Sequence, residues 1–180
     1  MHRQGRASGF SLLELLVTLG IAGIVMGFAV PSFARLLADA ELRASSSALS
    51  VALAAARMRA VETRRPVSVC PLDDAVACRP GSDWSRGWMV FDDPRQQGRP
   101  IGPEAIVEVS AQGGRGIVRS TGGRPLLTFR PDGSSAGSNV TLSLCHPDHP
   151  GLGRQIVLNN AGRARSGPLP PGWACTPRPS

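Results

Sequence analysis

Hydrophobic positions change period twice along the chain. Residues 10–30, FSLLELLVTLGIAGIVMGFAV, are apolar except for Ser11, Glu14 and Thr18, and Pro31 follows. About 20 such residues in a helix span the hydrocarbon of a bilayer. Past Pro31, the residues Phe33, Leu36, Leu37, Ala40, Ala44, Ala48, Leu49, Ala52, Ala55, Ala56 and Ala60 recur at three- and four-residue steps, with Arg35, Asp39, Arg43 and Arg59 between them. This period predicts an amphipathic continuation of the helix, bent at Pro31, where a backbone hydrogen bond is lost. It should reach about Arg64, because Pro66 pushes the residue before it out of helical geometry. From there the period becomes two. Short runs at Val67–Cys70, Gly87–Phe91, Ala105–Val109, Gly116–Ser120, Leu126–Phe129, Val140–Cys145 and Gln155–Leu158 are separated by Gly, Pro, Asn and Asp, as in the turn Pro131-Asp132-Gly133. The pattern predicts an α+β architecture, a long N-terminal helix packed on an antiparallel sheet domain.

Charge orients this arrangement. Residues 1–9, MHRQGRASG, carry Arg3 and Arg6 and no acid, so the N-terminus stays in the cytoplasm and the chain beyond residue 31 crosses the membrane. The expected organisation is a leader over 1–9, a transmembrane helix over 10–31, its amphipathic second half over 32–65 and a periplasmic sheet domain over 66–180. Glu14 is the discord, since a carboxylate at mid-bilayer costs about 2.5–3.5 kcal/mol and calls for a partner.

Four cysteines, Cys70, Cys78, Cys145 and Cys175, all lie beyond the apolar segment, which fits disulfides in an oxidising compartment. Of the three possible connectivities, nearest-neighbour pairing is expected, Cys70 with Cys78 and Cys145 with Cys175. The net charge of +7 says less than its distribution, because all 20 basic residues are Arg. Residues 32–110 hold ten Arg and ten acids, whereas residues 111–180 hold eight Arg against Asp132 and Asp148, a balance of +6. A one-sided charge of this kind suits a polyanion.

Gly9 followed by Phe10, Ser11, Leu12, Leu13, Glu14, Leu15 and Leu16 closely resembles the prepilin processing site of type IV pilins and type II secretion pseudopilins. The resemblance implies that a prepilin peptidase cuts after Gly9 and methylates Phe10. It also implies that Glu14, then the fifth mature residue, pairs with the N-terminal amine of a neighbouring subunit, and that the other partners are major and minor pilins and the inner membrane. Further along, Cys70-Pro71, the Trp84 to Phe91 segment with Gly87-Trp88, Phe129-x-Pro-x-Gly133 and Gly162-Arg163-x-Arg165 resemble the FimT/GspH group of minor pilins, FimT more closely. That likeness implies a pilin-like fold and a DNA contact at Gly162, Arg163 and Arg165 serving natural transformation.

The chemistry of the contact is simple. Residues two apart in an extended chain project to one side, about 6.6–6.8 Å apart, so Arg163 and Arg165 can grip phosphates together. A guanidinium forms bidentate bonds to phosphate oxygens and stays charged at any relevant pH. Arg154, Arg119, Arg124 and Arg130 extend the candidate patch. DNA would be held without regard to sequence.

Other readings fit less well. An ordinary secretory signal cleaved near Ala29 or Ala34 would seldom carry Glu in its apolar region. Cys145-His146-Pro147-Asp148-His149 brings zinc-ligand types together, but Pro147 and Pro150 fix a loop without an established ligand spacing. No nucleophile elbow, phosphate loop or paired-carboxylate motif occurs, so neither an enzyme, a metal nor a cofactor is expected. The alternative function is a minor pseudopilin of a type II secretion system.

Overall fold

The computed structural model describes residues 11–73, 77–112, 114–135, 137 and 139–170. Helix α1 covers Leu12–Thr63, 52 residues, with Pro31 inside it. Among the described residues, those up to residue 37 form one unit and those from Ala38 onward a second, compact one. In the first, Leu12 through Leu37 expose their large apolar side chains, and among the described residues α1 is long and apolar enough to cross a membrane.

Within the second unit, α1 buries Ala38, Leu42, Ser46, Leu49, Ala52, Leu53, Ala56 and Ala60. This stripe is rotated from the predicted one, for Ala40, Ala44, Ala48 and Ala55 are exposed. Alanines cover more than one side of the helix, and the larger Leu42 and Leu53 decide which side is buried. The helix stops at Thr63, Arg64 takes a left-handed φ of 52°, and Pro66 follows.

Eight strands succeed it: β1 (Val67–Pro71), β2 (Gly87–Asp92), β3 (Ile106–Ala111), β4 (Ile117–Ser120), β5 (Leu127–Phe129), β6 (Val140–His146), β7 (His149–Leu158) and β8 (Ala164–Pro168). They form two four-stranded sheets, ordered β3-β2-β1-β5 and β4-β6-β7-β8, in which every pairing is antiparallel. Sequence reading foresaw neither the division into two sheets nor β8, and it began β7 at Gln155. The early half of β7 forms because Pro147 and Asp148 make a tight turn that sets His146 opposite His149.

One cluster joins α1 to both sheets, with Leu42, Leu49 and Leu53 meeting Trp88, Phe129, Leu142, Leu144 and Ile156. Burying each of the larger side chains stabilises the fold by about 1.5–3 kcal/mol. Alternation sends Cys70, Met89 and Phe91 to the other face of the first sheet, where they pack with Leu72, Cys78, Ile106 and Leu126. The Cys70–Cys78 disulfide clips this second cluster. On the same face the buried Asp93 carboxylate accepts hydrogen bonds from the Ser68 hydroxyl (3.0 Å) and from the backbone N–H groups of Gln97 (2.7 Å) and Gly98 (3.0 Å). Ser68 also meets the Thr128 hydroxyl at 2.8 Å.

Candidate nucleic-acid interface

The turn joining β7 to β8 is built around Asn159. Its carbonyl accepts from Gly162 N–H at 2.9 Å, its N–H donates to the Arg163 carbonyl at 3.1 Å, and its Oδ1 accepts from Arg163 N–H at 2.9 Å. The Arg163 backbone is thus held from both sides. Gly162 has a φ of 72° and is buried, in the left-handed region that glycine tolerates without strain.

A second turn, Pro131–Gly133 between β5 and β6, lies against the first. The Gly133 carbonyl occupies the space into which a Gly162 side chain would project, and Ser135 N–H donates to the Asn160 carbonyl at 2.9 Å. From α1, Arg57 Nε donates to the same Gly133 carbonyl at 2.8 Å. Asp132 is tied down by Ser134, whose hydroxyl and N–H reach its Oδ1 at 2.6 and 2.9 Å. Hydrogen bonding from Ser134, helped by the nearby charge of Arg130, holds the Asp132 carboxyl below the usual carboxylate range.

Between α1 and the end of the β7–β8 turn with the start of β8 runs an open groove of ≈ 590 Å³, lined among others by Arg57, Met58, Val61, Gly162, Arg163 and Arg165. Arg163 and Arg165 are exposed, so the two sequence-predicted arginines share one groove. Arg130 opens the adjoining turn, its carbonyl accepting from Gly133 N–H at 2.8 Å. Arg124 follows β4 and lies against Gly137.

The other two predicted arginines are placed differently. Arg154 pairs with Leu144, which pairs with Val118, and both partners are buried. Directly opposed residues share a sheet face, so Arg154 belongs to the core-facing row, and its Nε is a buried donor with no described hydrogen bond. Arg119 sits on the opposite edge strand, three strand spacings or about 14 Å from β8, and forms an isolated bridge with Asp83. Burial pushes the Asp83 carboxyl up. Hydrogen bonds from Ser85 and the charges of Arg79 and Arg119 outweigh this and hold it below the usual range.

Glu14 is an exposed residue in the first turn of α1, whereas Gly9 and Phe10 lie outside the described residues. Cys70 and Cys78 are bonded, their Cα atoms 5.5 Å apart. Cys145 is engaged rather than free, and its expected partner Cys175 lies outside the described residues. In the β6–β7 hairpin the rings of His146 and His149 are 5.2 Å apart. His146 Nδ1 accepts from Asp148 N–H at 3.3 Å, and Asp148 pairs with Arg115 at 2.6 Å. Among the described residues no three His, Cys, Asp or Glu side chains are placed to hold a metal ion.

Sequence reading missed Arg57. No local signal marked it, because the turn it meets comes 76 residues later.

Comparison with known proteins follows the same lines. Residues 45–162 match the family described as Type II transport protein GspH, and residues 5–30 match the prokaryotic N-terminal methylation motif. The pilin-like protein PilA1 of Thermus thermophilus is 31% identical over 164 residues, 87% of this chain and 96% of that protein. The type IV minor pilin FimU of Pseudomonas aeruginosa superposes with a TM-score of 0.56 at 22% identity, covering 74% of this chain and 96% of that one. The minor pseudopilin EpsH of the Vibrio cholerae type 2 secretion system gives 0.50 at 14% identity, over 74% and 99%. These last two likenesses are of fold.

Proposed function

Because the chain belongs to the GspH family of pilin-like subunits, which are structural proteins and not enzymes, we propose that it is a minor pilin of a type IV pilus that holds DNA. Its setting is the inner membrane, crossed once by the N-terminal apolar helix, with the C-terminal domain beyond it and the subunit incorporated in a pilus or pseudopilus. On our reading prepilin peptidase cuts after Gly9 and methylates Phe10, and Glu14 makes the assembly contact with the next subunit. The periplasmic domain then serves DNA uptake in natural transformation.

The observation that carries the DNA reading is the shared groove. Arg163 is exposed on a turn whose backbone is fixed by Asn159 and packed against Gly133, and Arg165 is exposed two residues further on in β8, in the part of the chain with a balance of +6. Phosphates are the ligand that two neighbouring exposed guanidiniums suit, and a contact made to the backbone alone reads no base, so affinity should lie at ~10⁻⁴–10⁻⁶ M, as for non-specific binders. Several copies in one filament would raise it through avidity.

Gel shift of the detergent-solubilised full chain tests this. Duplex DNA of unrelated sequences should bind alike and weaken steeply with salt, and Arg163→Ala with Arg165→Ala should remove most of the shift. Undiminished binding by the double variant refutes the site. The family's own description favours the second reading, a minor pseudopilin of type II secretion, and absence of any DNA binding at low salt would favour it over the first.

A further inference from the structure

The groove beneath Arg163 has two walls, and Arg57 stands on the helical one. Its Nε is fixed on the Gly133 carbonyl at 2.8 Å and lies 3.1 Å from where a Gly162 side chain would begin, so the guanidinium sits between the two turns. That bond uses one of the five N–H donors of a guanidinium, and among the described residues no acid pairs with Arg57. Among the described residues no acidic side chain lines the groove, while Met58 and Val61 give its helical wall an exposed apolar strip beside the charge.

We infer that Arg57 is a third phosphate ligand, so that the DNA backbone lies in a groove between α1 and the β7–β8 turn rather than on the turn alone. The inference rests on the DNA reading above. Three guanidiniums from α1, the β7–β8 turn and β8, one of them already immobilised by Gly133, lose less freedom on meeting a phosphodiester than three unconstrained side chains would. The apolar strip at Met58 and Val61 meets the carbon-rich face of the deoxyribose, which is the same for every base. Recognition is therefore of the backbone, independent of sequence.

Phenylglyoxal modification of the full chain in detergent micelles, with and without duplex DNA and mapped by mass spectrometry, reads this without a substitution. Duplex DNA should slow modification of Arg57 together with Arg163 and Arg165. In a parallel titration Arg57→Gln should weaken binding about tenfold and flatten the salt dependence by about one unit of slope, on duplexes of unrelated sequence alike. Arg57→Lys should restore the slope. Arg57 reacting equally with and without DNA while Arg163 is protected overturns the inference and leaves the turn as the site, as does a folded Arg57→Gln variant with the parent's slope. Failure of the DNA reading would look different, with Arg163 and Arg165 unprotected and their double variant binding like the parent.

Discussion

The buried Gly162 rests on the carbonyl oxygen of Gly133, 29 residues earlier in the chain, so closely that any side chain at position 162 would collide with it. The glycine of the Gly-Arg-x-Arg element is thus needed for packing as much as for its backbone conformation. Arg57 reinforces the contact by bonding the same oxygen.

Replacing Gly162 by Ala should therefore destabilise the domain by about 2 kcal/mol, from the left-handed φ and the collision together. Thermal unfolding should record a fall of roughly 6 °C. DNA affinity should drop at temperatures where the variant is still folded, because the Arg163 backbone shifts with the turn. An unchanged melting temperature would mean that the two turns do not touch.

Arg59 donates two hydrogen bonds to Asp92, both at 2.7 Å, tying α1 to the end of β2. The pair is partly exposed, so Asp92→Asn should cost about 1 kcal/mol. The Arg59 hydrogen bond, opposed by burial, holds the Asp92 carboxyl below the usual carboxylate range. Its stabilisation is accordingly complete above the unfolded-state value of about 3.9 and lost as pH falls through the lower folded-state value. Melting curves of parent and variant, apart at pH 7, should converge below about pH 4.

Cys70→Ser with Cys78→Ser should lower stability by about 2–3 kcal/mol, the chain-entropy contribution of a short closed loop. Non-reducing peptide mapping should return Cys70 linked to Cys78, and a second linked pair joining Cys145 to Cys175. A thiol-reactive label on Cys145 in the unreduced protein would exclude the second bridge.

Mass spectrometry of membrane material should find a chain beginning at methylated Phe10. Glu14→Gln should leave this processing and the membrane anchoring intact yet abolish recovery of the subunit in sheared filaments. A first residue beyond Ala29 would instead make the apolar segment a discarded secretory signal.

The helix and the strand runs could be read locally, because Leu and Ala at helical spacing before Pro66 and alternation after it are properties of neighbouring residues. β8 could not. Its sequence, ARSGP, alternates nothing and holds Gly167 and Pro168, and it becomes a strand through the register that Ile156 and Val157 impose on it. Arg154 shows the same dependence, since only its pairing with Leu144 decides that it faces the core. Arg57 enters the groove through turns that return to the helix 76 residues later, a relationship that no local pattern encodes.

The Asp93 hook has a consequence for survival outside the cytoplasm. The β2–β3 connection carries Arg95 followed by Gln96, a bond that trypsin-like proteases select, and both residues are exposed. A protease must draw its substrate into an extended strand, and here that requires Gln97 and Gly98 to abandon a buried carboxylate. The loop is chemically cleavable but conformationally withheld, which suits a subunit that stands in the periplasm among such enzymes before it is assembled.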